Sequence, residues 1–76
     1  MVMYMASITD KIEAFIKNLM DSANSIKIKR NELAILFNCA PSQINYVLMT
    51  RFTIDKRYYI DSKKVEEDIY RLRRLI

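Results

Sequence analysis

The sequence predicts one mainly α-helical domain with a small β component. Apolar residues recur at three- and four-residue intervals through residues 7–22, 30–37 and 41–51, which is the spacing of amphipathic helices. Apolar and basic residues alternate over residues 26–29, as they do in a half-buried strand. The chain has 76 residues, of which 51% are hydrophobic, and this is enough for a single modest core. We therefore treat residues 1–76 as one domain.

The first predicted helix, at residues 7–22, begins at a serine. The Ser7 hydroxyl is placed to cap the first turn, and Asp10 puts a negative charge where the helix dipole favours one. Residues 23–26 interrupt the helical periodicity, and the strand at residues 26–29 follows. The apolar stripe of this helix consists of Ile8, Ile12, Phe15, Ile16 and Leu19.

Two further helices, at residues 30–37 and 41–51, are separated by only three residues. Asn38 stands where a left-handed residue ends a helix, and Pro41 fits the first position of the next one. The residues predicted to pack are Leu33, Ala34, Leu36 and Phe37 in the first helix of the pair, and Ile44, Val47 and Leu48 in the second. Two helices joined by so tight a turn are typical of a helix-turn-helix.

The carboxy-terminal third of the chain permits two interpretations. Residues 57–61 have the aromatic and branched content of a strand. Apolar residues then recur at helical spacing, and we expect a helix over residues 63–76. The alternative is that residues 69–76 form the return strand of a hairpin. If the segment is helical, its exposed stripe is a candidate dimer face that consists of Val65, Ile69, Leu72 and Ile76.

The composition argues against several classes of function. The chain contains no glycine and no histidine, so it lacks a phosphate-cradling loop, a dinucleotide fingerprint and a His-dependent catalytic triad. With Cys39 as the single cysteine there is no Cys/His zinc set and no internal disulfide. We expect no enzyme activity, no cofactor and no metal. The apolar runs fall far short of the roughly 18 residues that span a membrane, so we expect a cytoplasmic protein.

The basic charge is concentrated in the middle of the chain. Residues 26–64 carry eight basic and three acidic groups, whereas residues 1–25 carry two and three, and residues 65–76 carry three and three. A local excess of this kind suits a polyanion such as double-stranded DNA, although ordinary solvated surfaces also show it.

The polar face of residues 41–51 could read bases. Asparagine and glutamine each present a donor and an acceptor, which match the major-groove edge of adenine. The alternative is that these are ordinary solvated positions on an outer helix. The candidates for base reading are Ser42, Gln43, Asn45 and Tyr46.

Basic residues lie on both sides of this helix and could neutralise phosphates without reading sequence. Arg51 lies seven residues after Ile44 and so points toward the packed side unless the helix ends before it. Its alternative role would be to satisfy terminal carbonyls and the helix dipole. The candidates for phosphate contacts are Lys27, Lys29, Arg30, Thr50, Arg51, Lys56 and Arg57.

Residues 39–53 resemble the signature of the CtsR family, the bacterial repressors of class III heat-shock genes. The family pattern is close to C-V-P-S-Q-I-N-Y-V-I-x-T-R-F-T, and this chain has CAPSQINYVLMTRFT. Residues 28–34 are similar to the family's I-K-R-x-E-I-A, and residues 59–64 to its Y-I-V-E-S-K-R. The resemblance covers residues 7–64. It implies a winged helix-turn-helix that binds operator DNA as a homodimer, with residues 41–51 in the major groove.

The chain departs from the family at the wing and in length. In the family, four glycines follow S-K-R, and its arginine enters the minor groove. Here Lys63 and Lys64 occupy the basic positions and are further candidates for phosphate or minor-groove contacts, and residues 65–68 are Val-Glu-Glu-Asp. Family members also carry a further carboxy-terminal domain. These departures suggest a second hypothesis, namely a protein-interaction or antirepressor module that keeps the fold and pairs with another protein.

Overall fold

The computed structural model describes residues 7–61 and 69–75. The elements in these ranges are α1 (Ile8–Asp21), β1 (Ser25–Lys29), α2 (Arg30–Phe37), α3 (Pro41–Arg51), a 3-10 turn (Ile54–Lys56), β2 (Tyr58–Asp61) and β3 (Ile69–Arg74). The predicted fold class, mainly α with a small β component, is confirmed. Within the described ranges, no helix combines the length and the apolarity needed to cross a bilayer.

Local sequence signals set the ends of the helices. The Ser7 hydroxyl accepts a hydrogen bond from the Asp10 backbone N–H at 3.1 Å and so caps α1. Asn38 ends α2 in the left-handed region, with φ 55° and ψ 51°, and its N–H donates to the Ile35 carbonyl. Pro41 occupies the first turn of α3, where no backbone donor is needed. The turn between α2 and α3 is therefore fixed by two residues.

The three strands form an antiparallel sheet in the order β1-β3-β2. Leu72 of β3 lies opposite Ile26 of β1 on one side and opposite Ile60 of β2 on the other. Directly opposed residues point to the same face of a sheet, so these three side chains face the helices together. β3 therefore joins β1 and β2 into one surface.

The core lies between the helices and this face of the sheet. Phe15 meets Phe37 edge to face at 5.5 Å, and Phe52 meets Tyr58 at 4.9 Å, so aromatic pairs extend the core at both sides. Tyr59, the neighbour of Tyr58, faces outward. The buried apolar residues are Ile12, Ile16, Met20, Ile28, Ala34, Ile44, Val47, Leu48, Phe52 and Leu72.

The helix expected over residues 63–76 is wrong for Ile69–Arg74, which is the strand β3. Helical spacing of apolar residues is a local signal, whereas β3 is stabilised by pairing with β1, more than 40 residues earlier in the chain. The candidate dimer face assumed that this segment is helical, so it has to be corrected as well. Leu72 is fully buried in the domain's own core, and Ile69 points to the opposite face of the sheet. Val65 and Ile76 lie outside the described residues.

Two residues predicted to pack are instead exposed. Leu36 of α2 is 62% exposed and Leu19 of α1 is 43% exposed. On α1, Met20 and Thr9 are buried, although neither belongs to the predicted stripe. The packed face of α1 is therefore rotated slightly from the predicted stripe, because α1 has to contact both α3 and the sheet.

Candidate nucleic-acid interface

The outer face of α3 presents uncharged side chains to solvent. Ile44, Val47 and Leu48 are fully buried and fix which way the helix faces. Tyr46 is 54% exposed on the other side, and Ser42 is exposed one turn earlier. No acidic residue occurs in α3. A helix with this pattern can approach a polyanion without repulsion from its own side chains.

Gln43 and Asn45, the two amides predicted to read bases, are half-buried and hydrogen-bonded within the protein. Gln43 Nε2 donates to Thr9 Oγ1 of α1 at 2.9 Å. The Tyr70 hydroxyl of β3 donates to Asn45 Oδ1 at 3.0 Å. One polar atom of each amide forms a hydrogen bond that holds α3, namely Nε2 of Gln43 and Oδ1 of Asn45. The other polar atom of each amide can bind a further partner. Sequence reasoning missed Thr9 and Tyr70, because neither contact can be derived from the spacing within α3.

Arg51 lies against α1, on the packed side that the spacing from Ile44 predicts. Its Nη1 donates to Asp10 Oδ1 at 3.2 Å and also to Glu13 Oε1. The Lys17 ammonium lies 2.9 Å from the other Glu13 oxygen. Hydrogen bonds from Lys17 first, and from Arg51, lower the pKa of Glu13, and partial burial opposes this effect. In this structure Arg51 therefore forms an ionic link between α1 and α3, and its predicted phosphate contact stays a prediction.

Other predicted phosphate contacts follow α3 in the chain. Lys56 and Arg57 are exposed at the end of the 3-10 turn, and Arg57 has a positive φ of 75°. Thr50 is exposed, but its hydroxyl donates to the Tyr46 carbonyl at 2.7 Å. Arg30 is half-buried at the start of α2. Lys56 and Arg57 therefore remain the most accessible cations near the end of the helix, while Lys63 and Lys64 lie outside the described residues.

The outer face of the sheet carries a second group of cations. Lys27 lies opposite Arg71, and Arg73 lies on the same face with its guanidinium 5.8 Å from the centre of the Tyr59 ring. Lys29 shares this face and lies 3.7 Å from Glu32. The predicted phosphate candidates Lys27 and Lys29 therefore belong to the sheet. The alternation Arg71-Leu72-Arg73 is typical of a strand with two cations on one face. We did not predict this face from it, because we expected a helix in this segment.

An apolar groove runs between α1, β1 and α2. Its apolar lining includes Leu19, Leu33 and Leu36, and charged side chains of β1 and α2 also line it. Ile35, also of α2, is 79% exposed. A groove of this kind, at a distance from the polar face of α3, can pack against another apolar surface.

Comparison with known proteins gives a consistent result. Residues 7–76 match the family model described as the CtsR N-terminal HTH domain. The chain is 47% identical over 58 residues to the transcriptional regulator CtsR of Lactiplantibacillus plantarum, covering 76% of this chain and 37% of that protein. It is 45% identical over 60 residues to the CtsR of Bacillus subtilis, covering 76% of this chain and 39% of that protein. The chain thus spans about two fifths of the length of these curated relatives.

One solved structure shares the fold. It is the crystal structure of CtsR in complex with a 26-bp DNA duplex, with a TM-score of 0.84 and 38% sequence identity. The alignment covers 92% of this chain and 48% of that one. The likeness therefore extends over nearly the whole of the present chain.

Proposed function

We propose, from the premise that the chain belongs to the CtsR family, that it is a sequence-specific DNA-binding transcriptional regulator that inserts α3 into the major groove. The observation that carries this proposal is the likeness in fold and sequence to a CtsR chain bound to duplex DNA. The polar, acid-free outer face of α3 supports it independently. A helix of this diameter fits the major groove, where each base pair presents a distinct pattern of donors and acceptors.

Different side chains in and after α3 contact different parts of the DNA in this proposal. Ser42 and Tyr46 are exposed and can reach base edges or phosphates, while Gln43 and Asn45 contribute the polar atoms that their internal hydrogen bonds leave free. Lys56 and Arg57 supply charge for the phosphates, which adds affinity without sequence preference. The protein acts as a repressor by occupying its operator and not by catalysis.

The links from α3 to the rest of the domain preorganise this surface. Arg51 connects the end of the helix to two acids of α1, Gln43 connects its start to Thr9, and Asn45 connects its middle to Tyr70. A helix held at three points loses little freedom on binding, so more of the contact energy is available as affinity.

The active form in this proposal is a homodimer. Two copies can read two half-sites about 34–36 Å apart, one turn of DNA, which multiplies the specificity of a single helix. The groove lined by Leu19, Leu33 and Leu36 supports self-association, because two apolar surfaces gain by covering each other. With bacterial DNA as its partner, the protein would act in the cytoplasm.

The proposal is tested by a fluorescence-anisotropy titration of the purified chain. The probes are the 26-bp duplex of the structural neighbour and a scrambled duplex of the same length and composition, each at two salt concentrations. We expect tighter binding to the first duplex at both salt concentrations. Equal binding to both duplexes, abolished by salt, would contradict base reading by α3.

A second candidate function is a protein-interaction or antirepressor module. The exposed Ile35 and Leu36 favour it, because apolar side chains that are 79% and 62% accessible on one helix suit a protein partner. Sedimentation of the purified chain, combined with the DNA titration, separates the two candidates. A monomer that binds DNA tightly and in a salt-dependent manner would contradict the interaction module.

A further inference from the structure

We propose that Tyr70 is a positioning residue for DNA recognition, which orients the Asn45 amide so that its N–H groups face a base acceptor. The inference rests on the proposed function and specifies which chemical group Asn45 offers to DNA. It replaces the expectation, drawn from the amide alone, that Asn45 presents a donor and an acceptor together to adenine.

The position of Tyr70 in the sheet brings its hydroxyl to Asn45. Tyr70 lies in β3 opposite Ile28, whose side chain is buried, so Tyr70 is on the face of the sheet that the helices cover. From there its hydroxyl reaches Asn45 Oδ1 at 3.0 Å, across 25 residues of sequence. Both residues are half-buried. The contact therefore lies at the border between the core and the outer face of α3.

The hydrogen bond selects one of the two orientations of the amide. The terminal torsion of asparagine is broad and roughly two-fold, so an unrestrained amide can present either its oxygen or its nitrogen. A hydroxyl that donates to Oδ1 keeps the oxygen on the side of β3. The Nδ2 group, with two N–H donors, is then the part of the amide left for another partner.

This orientation determines the bases that Asn45 favours. A bidentate contact to adenine needs the amide oxygen to accept from N6 while the nitrogen donates to N7. Because the Tyr70 hydroxyl holds Oδ1 on the side of β3, Asn45 offers its Nδ2 donors to DNA and favours base atoms that accept, such as O6 and N7 of guanine or O4 of thymine. Gln43 is held by its nitrogen instead, through Thr9, so its carbonyl oxygen is the atom left to accept. The two amides of α3 thus offer opposite polarity to DNA.

The experiment replaces Tyr70 by phenylalanine, which removes the hydroxyl and keeps the ring. Affinities are measured for the preferred duplex and for a set in which each base pair is changed in turn. We expect discrimination at one base pair to fall by about 2-fold to 12-fold, the range for one net hydrogen bond, while binding to scrambled DNA is unchanged. Tyr59→Phe is the matched control, since Tyr59 lies on the outer face of the sheet, and it should leave every preference unaltered.

The outcomes separate this inference from the proposed function. If the unaltered protein prefers its duplex and Tyr70→Phe keeps the full pattern of preferences, the positioning role is refuted while the regulator stands. If the unaltered protein has no preference at all, both are refuted. A purely structural role of Tyr70 would lower the unfolding temperature and the affinities for all duplexes equally, and this result would also overturn the inference.

A second variant keeps the inference testable if Tyr70→Phe fails to fold. Asn45→Asp retains an oxygen for the Tyr70 hydroxyl and replaces the N–H donors by a carboxylate oxygen. We expect its preference at the same base pair to move toward cytosine, whose N4 amino group donates to carboxylates. An unchanged base preference would show that the Nδ2 group of Asn45 does not contact DNA.

Discussion

Replacement of Leu72 by alanine should destabilise the domain severely, because this side chain is in the centre of the core. Leu72 is fully buried in the middle strand, between Ile26 and Ile60. Removing a buried leucine side chain to the β-carbon costs about 2–5 kcal/mol, the sum of lost transfer energy and the cavity left behind. A 76-residue domain has about 4–11 kcal/mol of stability at the usual value per residue. The substitution therefore removes a large part of the total.

Thermal denaturation followed by far-UV circular dichroism measures this loss. At roughly 4–8 °C per kcal/mol for a domain of this size, the unfolding temperature should fall by at least about 8 °C. Ile69→Ala is the control, since Ile69 is half-buried on the opposite face of the sheet and should cost well under half as much. The measurements are made at several protein concentrations. An unchanged midpoint for Leu72→Ala, together with a lower tendency to dimerise, would refute the core placement and favour an exposed helical stripe.

Three further predictions concern local features of the fold. Asn38→Val should lower the free energy of unfolding by about 1–2 kcal/mol, because a branched residue resists the left-handed conformation, whereas Asn38→Gly should not; equal effects in chemical denaturation would contradict the cap. The lowered pKa of Glu13 means that its carboxylate stabilises the fold above its unfolded pKa and that this contribution disappears as pH falls. Stability should therefore drop as the pH falls below about 4.3, the ordinary pKa of a glutamate, and Glu13→Gln should flatten that drop in a pH series of melts; a parallel series would exclude the ion pairs of Glu13 with Lys17 and Arg51. Lys56→Gln should reduce the slope of log affinity against log salt by about 1 without changing stability, whereas Arg51→Gln should lower the unfolding temperature; the reverse pattern would place Arg51, and not Lys56, on the phosphates.

Local signals in the sequence were sufficient to predict where the helices begin and end. Ser7, Asn38 and Pro41 each act through their own backbone or that of near neighbours, so their positions determine where helices begin and end. The inward direction of Arg51 follows from helical periodicity alone, and the structure agrees. What the sequence did not contain was the identity of its partners on α1.

The carboxy-terminal strand could not be predicted in the same way. Residues 69–74 have apolar positions that fit either a helix or a strand, and the choice is made by pairing with β1 and β2. Because this segment was expected to be a helix, part of the candidate interface was not predicted. Arg71 and Arg73 join the basic outer face, and Tyr70 reaches Asn45, only because β3 alternates its side chains between two faces.

Contact between the outer face of α3 and DNA can be observed residue by residue by NMR. The ¹⁵N-labelled protein is titrated with the 26-bp duplex and then with its scrambled counterpart, and changes in amide chemical shift are mapped onto the structure. We predict that the largest changes fall on residues 41–50, with smaller ones at Lys56 and Arg57, and that they differ between the two duplexes. Identical changes with both duplexes, confined to Lys27, Arg71 and Arg73 on the sheet, would contradict the contact with α3 and place DNA on the wrong face for reading bases.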